Sequence, residues 1–260
     1  MLTSGDAVAR TGLDAAALKP AECDVRRATE LPLDAITIDY EGREHLPDEA
    51  TLETLAEEMD VRLTIPVRAD GFDPLGDDAV LDGLPASVGR VLVAGHPAYL
   101  TDRERKRTVA PRLGAALADA PDAWVGTESV ERVAMATGAT QFELLTRSTT
   151  RDLRGLRAAG FDGTVAVYAP TVLTDDEDAV LDAVGGYVAR RNAVASALPE
   201  GAPTDASATG RAREVLLAAS DDFALVGTPE EVGETVGDLK AAGADLVVGY
   251  PARGIESFLD

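Results

Sequence analysis

The chain has 260 residues, and its 46 acidic against 24 basic side chains leave a formal charge of −22 at pH 7. At 45% hydrophobic it holds ample apolar material for a core, so the charge is not a sign of disorder. A surface this negative repels phosphate backbones and anionic lipids, which excludes broad nucleic-acid or membrane-surface binding.

Only Lys19, Lys106 and Lys240 are lysines; the remaining cations are arginines. An acid excess with so little lysine is a halophilic composition of haloarchaeal type, in which salt screens carboxylate repulsion. One cysteine, Cys23, excludes an internal disulfide framework, and two histidines, His45 and His96, exclude a three-histidine metal centre. A mixed site with carboxylates stays open but has no spacing motif here, and no metal residues are assigned. No apolar run approaches the ~18 residues of a membrane span, and MLTSGDAVAR lacks a signal-peptide core. The expectation is a soluble, cytoplasmic protein.

In chain order, apolar runs predict strands at 14–19, 35–40, 61–67, 90–95, 123–127, 142–146, 164–169, 223–227 and 246–250. Helical patterns alternate with them at 48–59, 102–119, 128–137, 150–159, 176–192 and 229–242. Gly12, Gly138, Gly160 and Gly243 each follow an Ala-rich helix end and precede an apolar run, the place of a left-handed helix stop. Helix, glycine, strand is the αβ turn of a parallel sheet. Thr228, Pro229 and Glu231 form the start signal of the helix at 229, with a capping box. Strict alternation predicts one (β/α)8 barrel domain over 1–260, with a doubly wound sheet as the alternative. The Pro/Ser/Gly-rich stretch around 195–210 reads as an insertion loop. Nine strands are one too many for a barrel, and 223–227 is the one to set aside.

Two stretches resemble the luciferase-like superfamily of flavin-dependent monooxygenases and coenzyme F420-dependent reductases. The first is Ala123–Leu145, AWVGTESVERVAMATGATQFELL. The second lies within Thr164–Gly254, with VYAPTVLTDDEDAV and then ALVGTPEEVGETVGDLKAAGADLVVGYP. Together they cover about half the chain. The resemblance implies a luciferase-like barrel, F420 or FMN as cofactor, and a segment before GTPEEV that is not a barrel strand.

A barrel of this kind places its active site at the C-terminal ends of its strands. Those ends carry Lys19, Asp39, Tyr40, Arg68, Asp70, His96, Tyr99, Thr127, Glu128, Ser129, Arg147, Ser148, Tyr168, Tyr250 and Arg253. His96 after VLVAG and Asp39 at the end of ITIDY are the acid–base candidates; the alternatives are a loop-satisfied imidazole and a capping carboxylate. Gly126, Thr127 and Ser129 open a helix whose free N–H groups suit an anion, and by the resemblance this turn helps hold the cofactor's phosphate tail. Glu128 opposes that role, and simple capping by Thr127 or Ser129 is the plainer use. Arg147 and Ser148 supply a further candidate contact to the tail. Tyr168, Tyr250 and Arg253 are the substrate-binding candidates, with Arg253 and the Gly227-Thr228 turn placed to meet a phosphate.

Three functions follow. The first is an oxidoreductase that uses F420 or FMN to transfer hydride to a small-molecule substrate. The second is a cofactor-free barrel enzyme doing acid–base chemistry on a phosphorylated or carboxylated substrate. The third is a catalytically silent relative used for binding or assembly. The oligomeric state stays open, a homo-oligomer included.

Overall fold

The computed structural model describes residues 6–67, 84–94, 110–126 and 135–260. Among these residues nine parallel strands form: β1 (Ala15–Leu18), β2 (Ala35–Ile38), β3 (Asp60–Val67), β4 (Gly89–Ala94), β5 (Trp124–Gly126), β6 (Gln141–Leu144), β7 (Val165–Val172), β8 (Leu225–Val226) and β9 (Leu246–Pro251). Eight of them close a barrel in the order β1-β2-β3-β4-β5-β6-β7-β9. Closure is made by β9 against β1, with Ala15 opposite Val248 and Ala16 opposite Gly249. The two-residue β8 pairs only with the far end of β7, at Thr171 and Val172, and so stays outside the ring. The architecture is a (β/α)8 barrel, as the alternation implies.

The apolar runs are buried on both faces because the strands pack helices outside and one another inside; all eight residues of β7 are buried. Along each strand, alternate side chains divide between two cores. Ile36, Ile38, Leu63, Ile65 and Val167 face outward against helix residues such as Leu55, Leu156 and Val236. Ala15, Ala17, Val91, Trp124, Phe142, Tyr168 and Val248 fill the interior. Small β1 residues stand across from the large rings of β5, β6 and β7, which is how a narrow barrel fills its cross-section without voids. At the floor, Arg62 turns inward over the Trp124 ring at 4.3 Å, held by Asp60 at 3.1 Å. Gly89 makes room for it, since a Cβ there would lie 2.8 Å from Arg62 Nη1.

The four αβ glycines have positive φ: 66° at Gly12, 65° at Gly138, 86° at Gly160 and 123° at Gly243. Carboxylates on two of these turns staple the barrel's N-terminal end. Asp14 accepts from the Val247 N–H at 2.7 Å and from Lys240 at 2.9 Å. Asp245 accepts from the Val165 N–H at 2.7 Å and from Arg157 at 2.6 Å. The helix Pro229–Ala242 begins with the capping box, Thr228 and Glu231 satisfying each other's backbone N–H.

Between β7 and β8 the chain builds a helical segment with an apolar core of its own, centred on Leu181, Val188, Val194, Ala212 and Leu216. Its first helix runs from Glu177 to Ala189, with a π-helical turn at Leu181–Gly185. It stops at Arg190, short of the 192 expected, and a separate helix, Asn192–Ala197, follows. A further helix, Gly210–Phe223, lies where the sequence reading assigns none. The π turn presses Gly185 against the loop after Pro199: a Cβ there would meet the Thr204 carbonyl oxygen at 2.2 Å. Gly185→Ala should therefore cost about 2 kcal/mol or more, because backbone would have to move. A denaturant melt of the variant checks this, and an unchanged midpoint would refute it.

Candidate active site

Side chains that follow the inward alternation of β1, β2, β7 and β9 converge at the C-terminal mouth. On β2, Ala35 and Thr37 face inward, so Asp39, the next residue in phase, does too; Ile36 and Ile38 belong to the outer core. Tyr168 of β7 reaches across the interior and donates its hydroxyl to Asp39 Oδ2 at 3.1 Å. The Tyr250 ring of β9 lies nearly parallel to Tyr168, 8° between planes and 6.5 Å between centroids. Lys19, just past β1, holds its ammonium 3.9 Å above the Tyr250 ring and 3.4 Å from Glu22. The Tyr250 hydroxyl donates to Glu22.

The electrostatics follow from crowding. Asp39 keeps a small exposed edge but is packed round by protein, and desolvation pushes its carboxyl up from 3.8 to about 6. The Tyr168 hydroxyl bond and the Lys19 charge pull the other way, while Glu41 and Glu22 add to the rise. Tyr168 is raised well above the usual phenol value by burial and by Asp39, so it is a donor at every working pH. Tyr250 is raised by burial and by its bond to Glu22. A carboxyl near 6 exchanges its proton readily around neutrality, which a carboxylate at 3.8 does not. One layer below, the Thr37 hydroxyl is buried with no hydrogen-bond partner.

Asp39, Tyr168 and Tyr250, three of the candidates read from strand ends, thus come together, and Lys19 joins them. Tyr40 turns to the outer core instead, its N–H bonded to Thr64 Oγ1 at 2.8 Å. Gly126 ends β5 in the opposite wall, where a Cβ would lie 3.1 Å from the Phe142 carbonyl oxygen. Arg147 is exposed in the loop after β6. Beside it, Ser148 shares a hydroxyl contact with Thr146 at 3.2 Å. Arg253 is exposed beyond β9. The Gly227-Thr228 turn has its backbone donors filled, the Gly227 N–H by the Val172 carbonyl at 3.2 Å and the Thr228 N–H by the Glu231 carboxylate at 2.8 Å. His96, Thr127, Ser129, Arg68, Asp70, Tyr99 and Glu128 lie outside the described residues. Among the described residues no group of three His, Cys, Asp or Glu side chains is arranged to hold a metal, and no helix is long and apolar enough to cross a membrane.

Sequence reasoning missed Glu22, Tyr187 and Arg191. Tyr187 lies in the helix after β7, within electrostatic reach of the Tyr168 hydroxyl. It accepts a hydrogen bond from Arg191. Four residues apart in a helical pattern, Tyr187 and Arg191 carry no signal that separates them from an ordinary helix-face pair.

Among solved structures, an F420-dependent secondary alcohol dehydrogenase, in complex with an F420–acetone adduct, aligns over 92% of this chain and 92% of its own, at TM-score 0.56 and 13% identity. The monooxygenase RslO1 from Streptomyces bottropensis aligns over 95% and 98%, at TM-score 0.51 and 17% identity. EDTA monooxygenase (EmoA) from Chelativorans sp. BNC1 aligns over 93% and 84%, at TM-score 0.50 and 13% identity. These likenesses establish the barrel type. No curated protein sequence matches the chain. A family model does match, over residues 8–258 and hence both the barrel and its mouth, and the chain belongs to that family of unknown function, DUF7388.

Proposed function

We propose that the protein is an oxidoreductase that uses F420 or FMN and a small-molecule substrate at the C-terminal mouth, with Asp39 and Tyr168 managing the proton. The observation that carries this reading is the inward-facing Asp39 carboxyl, raised to about 6 and bonded to the Tyr168 hydroxyl. Two of the barrel neighbours are described as monooxygenases and a third as an F420-dependent dehydrogenase, which favours redox chemistry over the other uses of a barrel.

The residues present fit such a cofactor in kind. A flavin or deazaflavin offers a flat ring with a polar edge and an anionic tail. The mouth offers the paired faces of Tyr168 and Tyr250 and an ammonium at Lys19, with an unpartnered hydroxyl at Thr37 one layer below. Tyr250 and Lys19 would hold the ring and its edge, and Arg147 and Ser148, with Gly126, Thr127 and Ser129, the tail. When bound, the cofactor supplies the hydride. Asp39 holds or accepts the proton that must accompany hydride transfer to a carbonyl or from an alcohol, and Tyr168 fixes the orientation of that carboxyl. His96 is the second proton-carrying candidate. The Tyr168 and Tyr250 rings keep water from one side of the mouth.

The Asp39–Tyr168 pair would equally serve a cofactor-free acid–base enzyme, and one titration separates the two. With protein in molar KCl, adding F420 or FMN should perturb the visible band of one of them saturably. A folded protein that leaves both spectra unchanged would favour the cofactor-free reading.

A further inference from the structure

We propose that Arg191 forms an oxyanion subsite above the barrel mouth, binding the phosphate or carboxylate of the molecule that occupies it. The proposal rests on reading the mouth as a small-molecule site. Arg191 stands between two rings, its guanidinium carbon 4.7 Å from the Tyr187 centroid and 5.3 Å from that of Phe223. Its Nη2 donates to the Tyr187 hydroxyl. Its Nε is sealed from solvent and has no hydrogen-bond partner, the only guanidinium nitrogen so placed among the described residues.

Three features make this more than a clamp. A cationic N–H buried without an acceptor is costly, and the cost disappears when an anion arrives. The chain has nearly twice as many acids as bases, and Arg157, Arg213 and Arg27 are each tied to carboxylates. Arg191 is held by aromatic faces instead, which orient the fork and leave Nε without an acceptor. Its place also fits: Tyr187, which it grips, lies in the helix that follows β7, the strand whose Tyr168 bonds Asp39. The helix break at Arg190 and Arg191 is what turns the side chain back over Tyr187.

The test uses inorganic phosphate and acetate as bare anions, followed by line broadening in phosphorus-31 NMR and by saturation transfer to the acetate methyl. Wild-type protein should broaden or saturate at least one of them. Arg191→Gln should weaken that binding about 10- to 100-fold, the loss expected for a charge-assisted contact. Arg191→Lys keeps the charge and the fold but lacks the fork, and should bind in between. An Arg211→Gln control, at an exposed arginine paired with Glu214, should bind the anion as wild type does. Competition then names the source: phosphate displaced by FMN or F420 marks a cofactor-tail site, and phosphate bound alongside them marks a substrate site. Unchanged anion binding in both Arg191 variants, or none in the wild type, would overturn the subsite. The cofactor spectra are measured without these anions, so either reading can fail alone.

Discussion

Asp39→Asn is expected to lose turnover by roughly 10²- to 10⁴-fold while making the protein more stable at neutral pH. The two effects have one cause. At pH 7.5 the carboxyl is ionised in the folded and the unfolded chain, but only in the folded one is that charge desolvated at the mouth. Because its folded value is raised to about 6 from 3.8, the native state binds the extra proton between those values. Stability therefore falls as pH rises through that window, and the penalty is complete above it. A shift of this size corresponds to about 1–3 kcal/mol, with the exposed edge of Asp39 arguing for the lower part. Asparagine removes the charge yet can still accept from Tyr168. The variant should melt several degrees above wild type at pH 7.5, with the difference gone near pH 4. A variant that is less stable at pH 7.5, or fully active, would show Asp39 to be structural.

Melting temperature should climb steadily from 0.1 to 3 M KCl, by roughly 10 °C or more. A formal charge of −22 repels itself across the whole surface, and the screening length shrinks from about 10 Å at 0.1 M to about 3 Å at 1 M. Salt also weakens ion pairs, so the sign depends on which effect is larger. Among the described residues nearly every ion pair has at least one exposed partner and some have two, such as Arg26 with Asp24 and Arg211 with Glu214, and pairs of that kind are worth about 0–1 kcal/mol each. The better placed ones, Arg157–Asp245 and Lys240–Asp14, also bond backbone groups and do not depend on long-range attraction. Repulsion dominates. A series that stays flat or falls with salt would contradict this balance.

The barrel was legible because its signals are local. Gly12, Gly138, Gly160 and Gly243 mark αβ turns by backbone conformation alone, and all four adopt it. Setting aside 223–227 depended on the GTPEEV resemblance, since LV alone cannot reveal that it pairs only with the end of β7. The Pro-rich stretch before the helix Gly210–Phe223 reads as loop and hides it, although Ala212, Leu216 and Ala219 bury one face of that helix. At the site, strand phase and strand ends pointed to Asp39, Tyr168 and Tyr250 one by one. The bond between Tyr168 and Asp39 joins residues 129 apart, and the stack of Lys19 on Tyr250 closes the ring between the first and last strands. No spacing rule reaches that far. Arg191 was hidden for a different reason: its role depends on a helix break that the continuous pattern through 192 conceals.

The most direct measurement is a crystal structure of the protein grown in high salt with F420 or FMN. The ring system should lie against the Tyr250 face beside Lys19, with Asp39 within hydrogen-bond reach of the space where a substrate oxygen would sit. A cofactor bound away from the β1, β2, β7 and β9 ends, or a mouth filled by Asp39 and Tyr168 with no ligand at saturating concentration, would contradict this placement.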